Sequence, residues 1–134
     1  MSDVHVQVRV GSELYALPVT HVLEVGEIGD LTIAPGASRA TLGVCNLRGD
    51  LLPVFDLGVV LGLPRSQSPQ RMLVAERGGT RAGFAVDEVT DVDELPEADQ
   101  EAEGDLLSGA ALIDGALVGV IDIDRLFETL EKAA

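Results

Sequence analysis

The sequence predicts an all-β fold with short helices, built from two similar halves that pack together. The chain has 134 residues, of which 46% are hydrophobic but only 3% aromatic, so its core must be mainly aliphatic. Valine, whose β-branched side chain suits a pleated strand, occurs 17 times. Short apolar runs separated by turn signals recur along the chain, and their order repeats after about 66 residues.

The first half is predicted to consist of strands joined by tight turns, followed by a short helix. Alternation of apolar and polar residues with period two is typical of a strand with one buried face. The predicted strands are Val4–Val10, Leu14–Val19, Val22–Ile28, Leu31–Ile33, Leu42–Leu47 and Leu51–Phe55. Gly11-Ser12 and Arg48-Gly49-Asp50 supply hairpin turns between neighbouring runs. Asp56 is placed to cap a helix that carries Leu57 and Val60.

The second half repeats this order of elements. Gly78-Gly79-Thr80 separates its first two strands, and Asp114-Gly115 is a strong signal for a type I′ hairpin turn. The predicted strands are Met72–Glu76, Arg81–Val86, an extension through Val89 and Val92, Ala110–Ile113 and Ala116–Ile121. Asp122 or Asp124 then caps a helix that carries Leu126 and Phe127.

Identical residues recur at two nearly equal offsets, which indicates an internal duplication. At an offset of 67 positions, Gly11, Val19, Val22 and Val25 match Gly78, Val86, Val89 and Val92. At an offset of 66, Gly49, Leu51, Val54 and Asp56 match Gly115, Leu117, Val120 and Asp122. A unit of about 65 residues is marginally stable alone, so the halves should share a buried interface. We therefore predict one domain over residues 1–134 with two sub-barrels, roughly 1–66 and 67–134, and a binding groove between them.

Charge and cysteine content exclude several classes of protein. The net charge of −14, from 9 basic and 23 acidic residues, leaves too few cations to bind nucleic acid or an anionic membrane surface. Cys45 is the single cysteine, so no internal disulfide can form. The chain has no apolar run of about 18 residues and its first nine residues do not resemble a signal peptide, so a cytoplasmic location is expected. Ten acidic and no basic residues lie between Asp87 and Asp105, and we expect a solvated loop or frayed helix over Leu95–Gly104.

The residues that could support catalysis or metal binding are few, and we predict no cofactor and no metal. Asp56 and Asp122 are related by the repeat and could form a pair of carboxylates in a hydrolase, but helix capping explains both positions. His5, His21 and Cys45 are the soft metal-ligand candidates, and their spacing matches no compact site. The sequence therefore favours a protein that binds over an enzyme.

The most informative segment is Asn46-Leu47-Arg48-Gly49. Gly49 supplies a backbone with positive φ, and the Asn46 side chain can hydrogen-bond its own turn. Arg48 lies among apolar residues, and its five donors need acceptors. Two interpretations stay open: pairing with an internal acid such as Asp56, or an anchoring role at a protein interface.

The run from Gly43 to Leu57 resembles the signature of CheW-like domains, the coupling proteins of bacterial chemosensory arrays. The resemblance extends upstream through Tyr15–Val19, Val22–Val25 and Pro35, and downstream through Gly83–Val89 and Leu117–Leu126. It implies two small five-stranded SH3-like β-barrels packed together, in a non-catalytic adaptor. The implied partners are the helical tip of a chemoreceptor, docked between the barrels, and a CheA-type histidine kinase, bound at the barrel ends.

The resemblance also implies which residues face the receptor. The groove candidates are Val22, Glu24, Gly43, Arg48, Gly83, Val89 and Val92. Asn46 and Gly49 are expected to hold the Arg48 turn in shape. For the valines, core packing is the alternative. The pathway could be flagellar chemotaxis, a type IV pilus array or another chemosensory system.

Overall fold

Ten strands and two helices form the described part of the chain. The computed structural model describes residues 3–33, 35–65, 69–96, 101 and 104–133. The first-half strands are β1 (Val4–Val10), β2 (Glu13–Pro18), β3 (Val22–Glu27), β4 (Thr41–Leu47) and β5 (Asp50–Asp56), followed by helix α1 (Leu57–Val60). The second-half elements are β6 (Arg71–Arg77), β7 (Thr80–Val86), β8 (Glu88–Glu94), β9 (Leu107–Ile113), β10 (Ala116–Ile121) and helix α2 (Ile123–Ala133). The all-β prediction with short helices is confirmed.

The strands form two five-stranded sheets with the same topology. Sheet A has the order β8-β1-β2-β10-β9, and sheet B has the order β3-β6-β7-β5-β4. Neighbouring strands are antiparallel except for β2 with β10 and β5 with β7, which are parallel. Replacing each strand by its repeat counterpart converts one order into the other, which is the pattern that a duplicated unit would give.

Each sheet takes strands from both halves of the chain, and this corrects the predicted sub-barrel boundary. Sheet A joins β1 and β2 to three strands of the second half, and sheet B joins β6 and β7 to three strands of the first half. Residues 1–66 and 67–134 are therefore not separate barrels. The chain crosses from sheet A to sheet B through a 3-10 turn, Val19–His21, and returns at Asp87.

The repeat extends to the irregularities of the sheets. A bulge in the β3–β6 pairing lies between Val22 and Glu24, and the β8–β1 pairing shifts register between Val89 and Asp91. The β4–β5 and β9–β10 hairpins likewise shift register at matching positions near their open ends. Because each bulge re-aims the side chains next to it, equivalent positions in the two sheets point in equivalent directions.

The core consists of one shared cluster and, on the opposite face of each sheet, a smaller cluster. The shared cluster lies between the sheets and includes Tyr15, Leu17, Leu73, Phe84 and Phe127. The ring centroids of Phe84 and Phe127 are 6.1 Å apart in an edge-to-face arrangement, which suits the aromatic quadrupole. The buried interface expected between the halves is thus present, and strand exchange makes it continuous with the sheets.

Two local expectations were wrong. Leu31–Ile33 was predicted as a strand but contributes only one bridge, between Thr32 and Val44. Leu95, predicted to begin a solvated segment, is 3% exposed and packs in the sheet A cluster. Much of the remaining acidic segment, residues 97–100, 102 and 103, lies outside the described residues. Among the helices that are described, none combines the length and hydropathy needed to cross a bilayer.

Candidate functional site

The site forms around an ion pair between Arg48, in the β4–β5 turn, and Glu24, on β3. Arg48 Nη1 lies 2.6 Å from Glu24 Oε2, and Nη2 lies 3.4 Å from Oε1, so the guanidinium meets the carboxylate with two nitrogens. The Arg48 side chain is 76% exposed and that of Glu24 is 30% exposed. Arg48 thus pairs with Glu24 rather than with Asp56, and most of its surface stays available to a partner.

The β4–β5 turn holds Arg48 in a left-handed backbone conformation. The φ of Arg48 is 53° and that of Gly49 is 91°, which are the signs that a type I′ turn requires. The Asn46 side-chain oxygen accepts a hydrogen bond from the Gly49 amide at 2.8 Å. The expectation that Asn46 and Gly49 support this turn agrees with these contacts.

The pair also joins the two edges of sheet B. β3 and β4 are the outermost strands of that sheet, and Glu24 and Arg48 connect the one edge to the turn that ends the other. Two backbone hydrogen bonds between Thr32 and Val44, of 2.9 and 2.8 Å, attach the β3–β4 connection to the β4 edge. The ion pair therefore lies where the two edge strands of sheet B are connected.

A surface depression of about 770 Å³ opens beside the ion pair. Leu23 and Leu51, which are 49% and 75% exposed, supply apolar surface, and Arg81 supplies a second exposed cation. Arg81 lies 2.8 Å from Glu76 and 3.9 Å from Asp50, and its hydrogen bond to Glu76 raises its pKa. Apolar side chains surrounded by oriented charges are suited to docking a protein segment.

The three valines predicted for the site lie on the edge strands β3 and β8. Val22 and Val89 are repeat counterparts, and both are partly buried against the shared core. Val92, farther along β8, is 54% exposed. Core packing therefore accounts for part of the surface of Val22 and Val89, whereas Val92 presents its side chain to solvent.

Two predicted groove residues, Gly43 and Gly83, are buried, and their assignment to the receptor groove stays a prediction. A Cβ atom on Gly43 would lie 2.7 Å from the Thr32 backbone oxygen, and its φ of 154° also disfavours other residues. A Cβ atom on Gly83 would lie 2.8 Å from Met72 Sδ and 3.2 Å from Val54 Cγ2. Both glycines permit close packing within sheet B.

The aspartates considered for catalysis are helix caps. Asp56 is 1% exposed, and its Oδ1 accepts a hydrogen bond from the Val59 amide of α1 at 3.3 Å. Asp122 Oδ1 accepts a hydrogen bond from the Arg125 amide of α2 at 3.1 Å. The capping interpretation is confirmed for both residues, and Asp122 rather than Asp124 is the cap of α2.

The candidate metal ligands make ordinary structural contacts. His5 Nδ1 lies 2.9 Å from the Asp3 carbonyl oxygen, and His21 Nδ1 lies 3.1 Å from that of Glu76. Cys45 is buried in the apolar cluster of sheet B. Across the described ranges, no three His, Cys, Asp or Glu side chains are grouped closely enough to hold a metal ion.

Sequence reasoning missed Leu23, Leu51 and Arg81 as neighbours of the ion pair. Leu51 carried a signal, since it is one of the residues that repeat at an offset of 66. Leu23 and Arg81 carried none, because β3 and β7 are separated by β6 in the sheet and only the tertiary fold brings their ends to one depression.

Comparison with known proteins identifies similar chains over nearly the whole length. The sequence model of the CheW-like domain matches residues 5–131. The chemotaxis protein CheW of Rhizobium meliloti (strain 1021) is 27% identical over 136 residues, covering 94% of this chain and 88% of that protein. Protein PilI of Pseudomonas aeruginosa is 39% identical over 83 residues, covering 60% of this chain and 47% of that protein.

The fold is also found in a solved structure. The crystal structure of the scaffolding protein TtCheW from Thermoanaerobacter tengcongensis superimposes with a TM-score of 0.83 and 29% sequence identity. The match covers 95% of this chain and 88% of that one.

Proposed function

This chain belongs to the family of CheW-like domains, and on that basis we propose that it is a cytoplasmic, non-catalytic adaptor that couples chemoreceptors to a CheA-type histidine kinase. The adaptor would bind the receptor tip with one surface and the regulatory domain of the kinase with another. Its mechanism would be positional, because simultaneous docking raises the effective concentration of the kinase at the receptor and favours one kinase conformation.

The observation that carries this proposal is the exposed Glu24–Arg48 pair. An arginine that is 76% exposed, held by two contacts and placed beside exposed leucines has the features of an interface anchor. The pair lies on the sheet that carries Val22, and Val89 and Val92 of the other sheet are the repeat counterparts of Val22 and Val25. We assign Val22, Glu24, Arg48, Val89 and Val92 to the receptor surface.

The kinase surface is assigned to an end of sheet A, because the resemblance to CheW-like domains implies that the kinase binds at the barrel ends. Exposed apolar side chains at the β9–β10 hairpin support this assignment, since Leu112 and Leu117 are paired across the strands and are 56% and 59% exposed. Adjacent exposed leucines on a sheet edge are features of a protein-binding surface.

Charge reversal at the ion pair tests the receptor assignment. Arg48→Glu places two carboxylates side by side, so we expect binding to a receptor tip fragment to weaken by at least about tenfold. The matched control is the exchanged pair, Glu24→Arg with Arg48→Glu, which restores local charge balance but not the position of the guanidinium. Kd from calorimetry is the readout. If Arg48→Glu binds the tip as tightly as the parent chain, the assignment of Arg48 is wrong.

A second candidate is the same adaptor role in a pathway other than flagellar chemotaxis. The observation that favours it is the similarity to the protein named PilI, at 39% identity over 83 residues. The two candidates differ in the receptor and kinase that bind, so parallel binding measurements with kinase regulatory domains from each pathway distinguish them.

A further inference from the structure

A second depression, of about 310 Å³, lies where the two helices meet sheet A. Thr129 of α2 and Tyr15 of β2 form part of its lining. Its apolar walls come from the end of α1 and from the segment that leads into β9, and they are Val60, Leu61, Leu106 and Leu107. The volume is at the lower end of the range of small-molecule sites. We call this depression the Tyr15 cavity.

The Tyr15 ring is packed between neighbouring strands of sheet A. Tyr15 is 7% exposed and belongs to the shared core cluster. It is paired with Gly119 of β10. A Cβ atom on Gly119 would lie 3.0 Å from Tyr15 Cδ1 and 3.1 Å from Leu107 Cδ1. Gly119 thus leaves the space that the ring occupies.

The Tyr15 hydroxyl makes no hydrogen bond to any residue in the described part of the chain. It is not sealed inside the core, because every fully enclosed side-chain oxygen or nitrogen of the described residues has a partner. The small exposed surface of Tyr15 lines the cavity, so the hydroxyl opens into it. A tyrosine that buries its ring usually finds a partner for its hydroxyl. This unused donor is the observation that points to a ligand.

Comparison of the two halves shows that the repeated unit does not require this tyrosine. At the offsets of 67 and 66 residues, Tyr15 corresponds to Ala82 and Gly119 corresponds to Pro53. Strands β5 and β7 are parallel in the same way as β10 and β2. Sheet B is therefore built without the ring and without the glycine that accommodates it.

The lining residues define the chemistry of a ligand. The neutral Tyr15 phenol is a donor that needs an acceptor, and burial raises its pKa above 10.0 with a smaller effect from Glu13. None of the described lining residues is basic, and Asp105 is an exposed carboxylate at the cavity, so an anion would be repelled. Asp105 and Thr129 provide acceptors for an N–H group.

We propose that the Tyr15 cavity binds a small neutral molecule that has an apolar body and a carboxamide group. Its carbonyl oxygen accepts a hydrogen bond from the Tyr15 hydroxyl, and its N–H donates to the carboxylate of Asp105 or the hydroxyl of Thr129. The apolar body covers the leucines and the valine of the walls. The site shares no residue with the proposed receptor and kinase surfaces, and it does not depend on the adaptor function.

Solvation of the hydroxyl is the competing explanation of the same geometry. An amphipathic side chain can bury its ring and leave its polar end in water. In that case Tyr15 serves only the core, and the cavity has no preference for a neutral carboxamide. Saturable binding that depends on the hydroxyl therefore separates the two explanations.

The test measures binding of cyclohexanecarboxamide to the full chain. Cyclohexanecarboxylate and cyclohexylmethylamine are the anionic and cationic analogues of similar size, and none of the three probes absorbs where tyrosine does. Tyr15 is the single tyrosine and the chain has no tryptophan, so its absorbance reports this site alone. We expect a saturable shift of that absorbance and a Kd on the order of 1 mM for the carboxamide. Each charged analogue should bind at least about threefold more weakly.

Removal of the hydroxyl tests its role directly. Tyr15→Phe keeps the ring, and we expect it to unfold at the same urea concentration as the parent because the hydroxyl has no partner within the described chain. It should bind the carboxamide about threefold to tenfold more weakly, measured by ligand-observed NMR. Arg48→Glu is the matched control, since it alters an exposed residue outside the cavity, and it should bind the probe like the parent.

Three results would overturn the inference. They are the absence of saturable carboxamide binding up to the solubility limit, equal affinity for the carboxamide and the carboxylate, and equal affinity of the parent and Tyr15→Phe for the carboxamide. The first result favours simple solvation of the hydroxyl. The titration of the parent chain with the three probes needs no variant, so it decides the matter even if Tyr15→Phe fails to fold.

Discussion

Arg48 occupies a backbone conformation that costs a non-glycine residue on the order of 1 kcal/mol, yet the residue there is an arginine. Its repeat counterpart is Asp114, a residue type that tolerates this conformation better. Asn46 offsets part of the cost by fixing the turn. An exposed arginine in a disfavoured conformation therefore points to a role outside the folding of the chain.

A substitution at Arg48 should affect binding to the receptor tip much more than the free energy of unfolding. Arg48→Asn removes an ion pair between a largely exposed arginine and a partly exposed glutamate, worth at most about 1 kcal/mol, and relieves the backbone cost. We expect the free energy of unfolding to change by less than about 0.5 kcal/mol, while binding to the receptor tip weakens, though by less than with Arg48→Glu. Chemical denaturation and calorimetry measure the two quantities. A large loss of stability would show that Arg48 holds the fold, contrary to this interpretation.

Tyr15 provides a spectroscopic test of core packing. Burial, with a smaller effect from Glu13, raises the pKa of its phenol above the usual value of 10.0. The folded state thus favours the neutral phenol, so this contribution to stability is complete below pH 10 and is lost as pH rises through the folded-state pKa. Tyr15 is the single tyrosine and the chain has no tryptophan, so tyrosinate absorbance reports it alone. We expect a midpoint above 10 that returns to about 10 in denaturant; a folded midpoint at or below 10 would contradict the packing.

At the scale of the elements, local sequence patterns predicted the hairpins. They did not predict strand exchange or the Glu24–Arg48 contact, which depend on residues far apart in the sequence. Alternating valines predicted β1, and the Asp114-Gly115 pair predicted the β9–β10 hairpin. Both features could be predicted because alternation and turn formation depend on residues that are neighbours in the sequence. The exchange of strands between sheets could not be predicted, since β1 pairs with β8 about 80 to 90 residues away. The Glu24–Arg48 contact was missed for the same reason, although both residues had been singled out.

Gly43 and Gly83 show how a signature can combine packing residues with contact residues. We expect Gly43→Ala to lower the free energy of unfolding by about 1–3 kcal/mol, because backbone at 2.7 Å cannot yield and φ is positive. Gly83→Ala should cost less, since its nearest neighbour is the flexible end of Met72. Thermal and urea unfolding measure both. The control is Gly29→Ala, where a Cβ atom would meet nothing within 4 Å. If Gly43→Ala kept full stability but lost tip binding, Gly43 would belong to the receptor surface after all.

The two repeats of the molecule exchange strands, so they do not form two separate units in sequence order. Each sheet is completed only by strands from the other half, so cooperativity should span all of residues 3–133. The same pairings would form between two copies of one half, which is the arrangement expected if a strand-exchanged dimer of the ancestral unit became fused into one chain.

Separated halves test this architecture. We expect residues 1–66 and 67–134, expressed apart, to give no folded monomer, and their equimolar mixture to regain the circular dichroism and cooperative melting of the intact chain. Folding of a half as a homodimer agrees with exchanged sheets. Sedimentation distinguishes these states, and a stable monomeric half would contradict the exchange of strands.

The adaptor account requires that two partners bind one chain at once. The most direct measurement is analytical ultracentrifugation of the intact chain with a kinase regulatory domain and a receptor tip fragment, each alone and then together. The account predicts two binary complexes and a ternary complex in which each partner retains its affinity or gains some. Mutual exclusion of the two partners would contradict it, because a chain that binds only one at a time cannot join a receptor to a kinase.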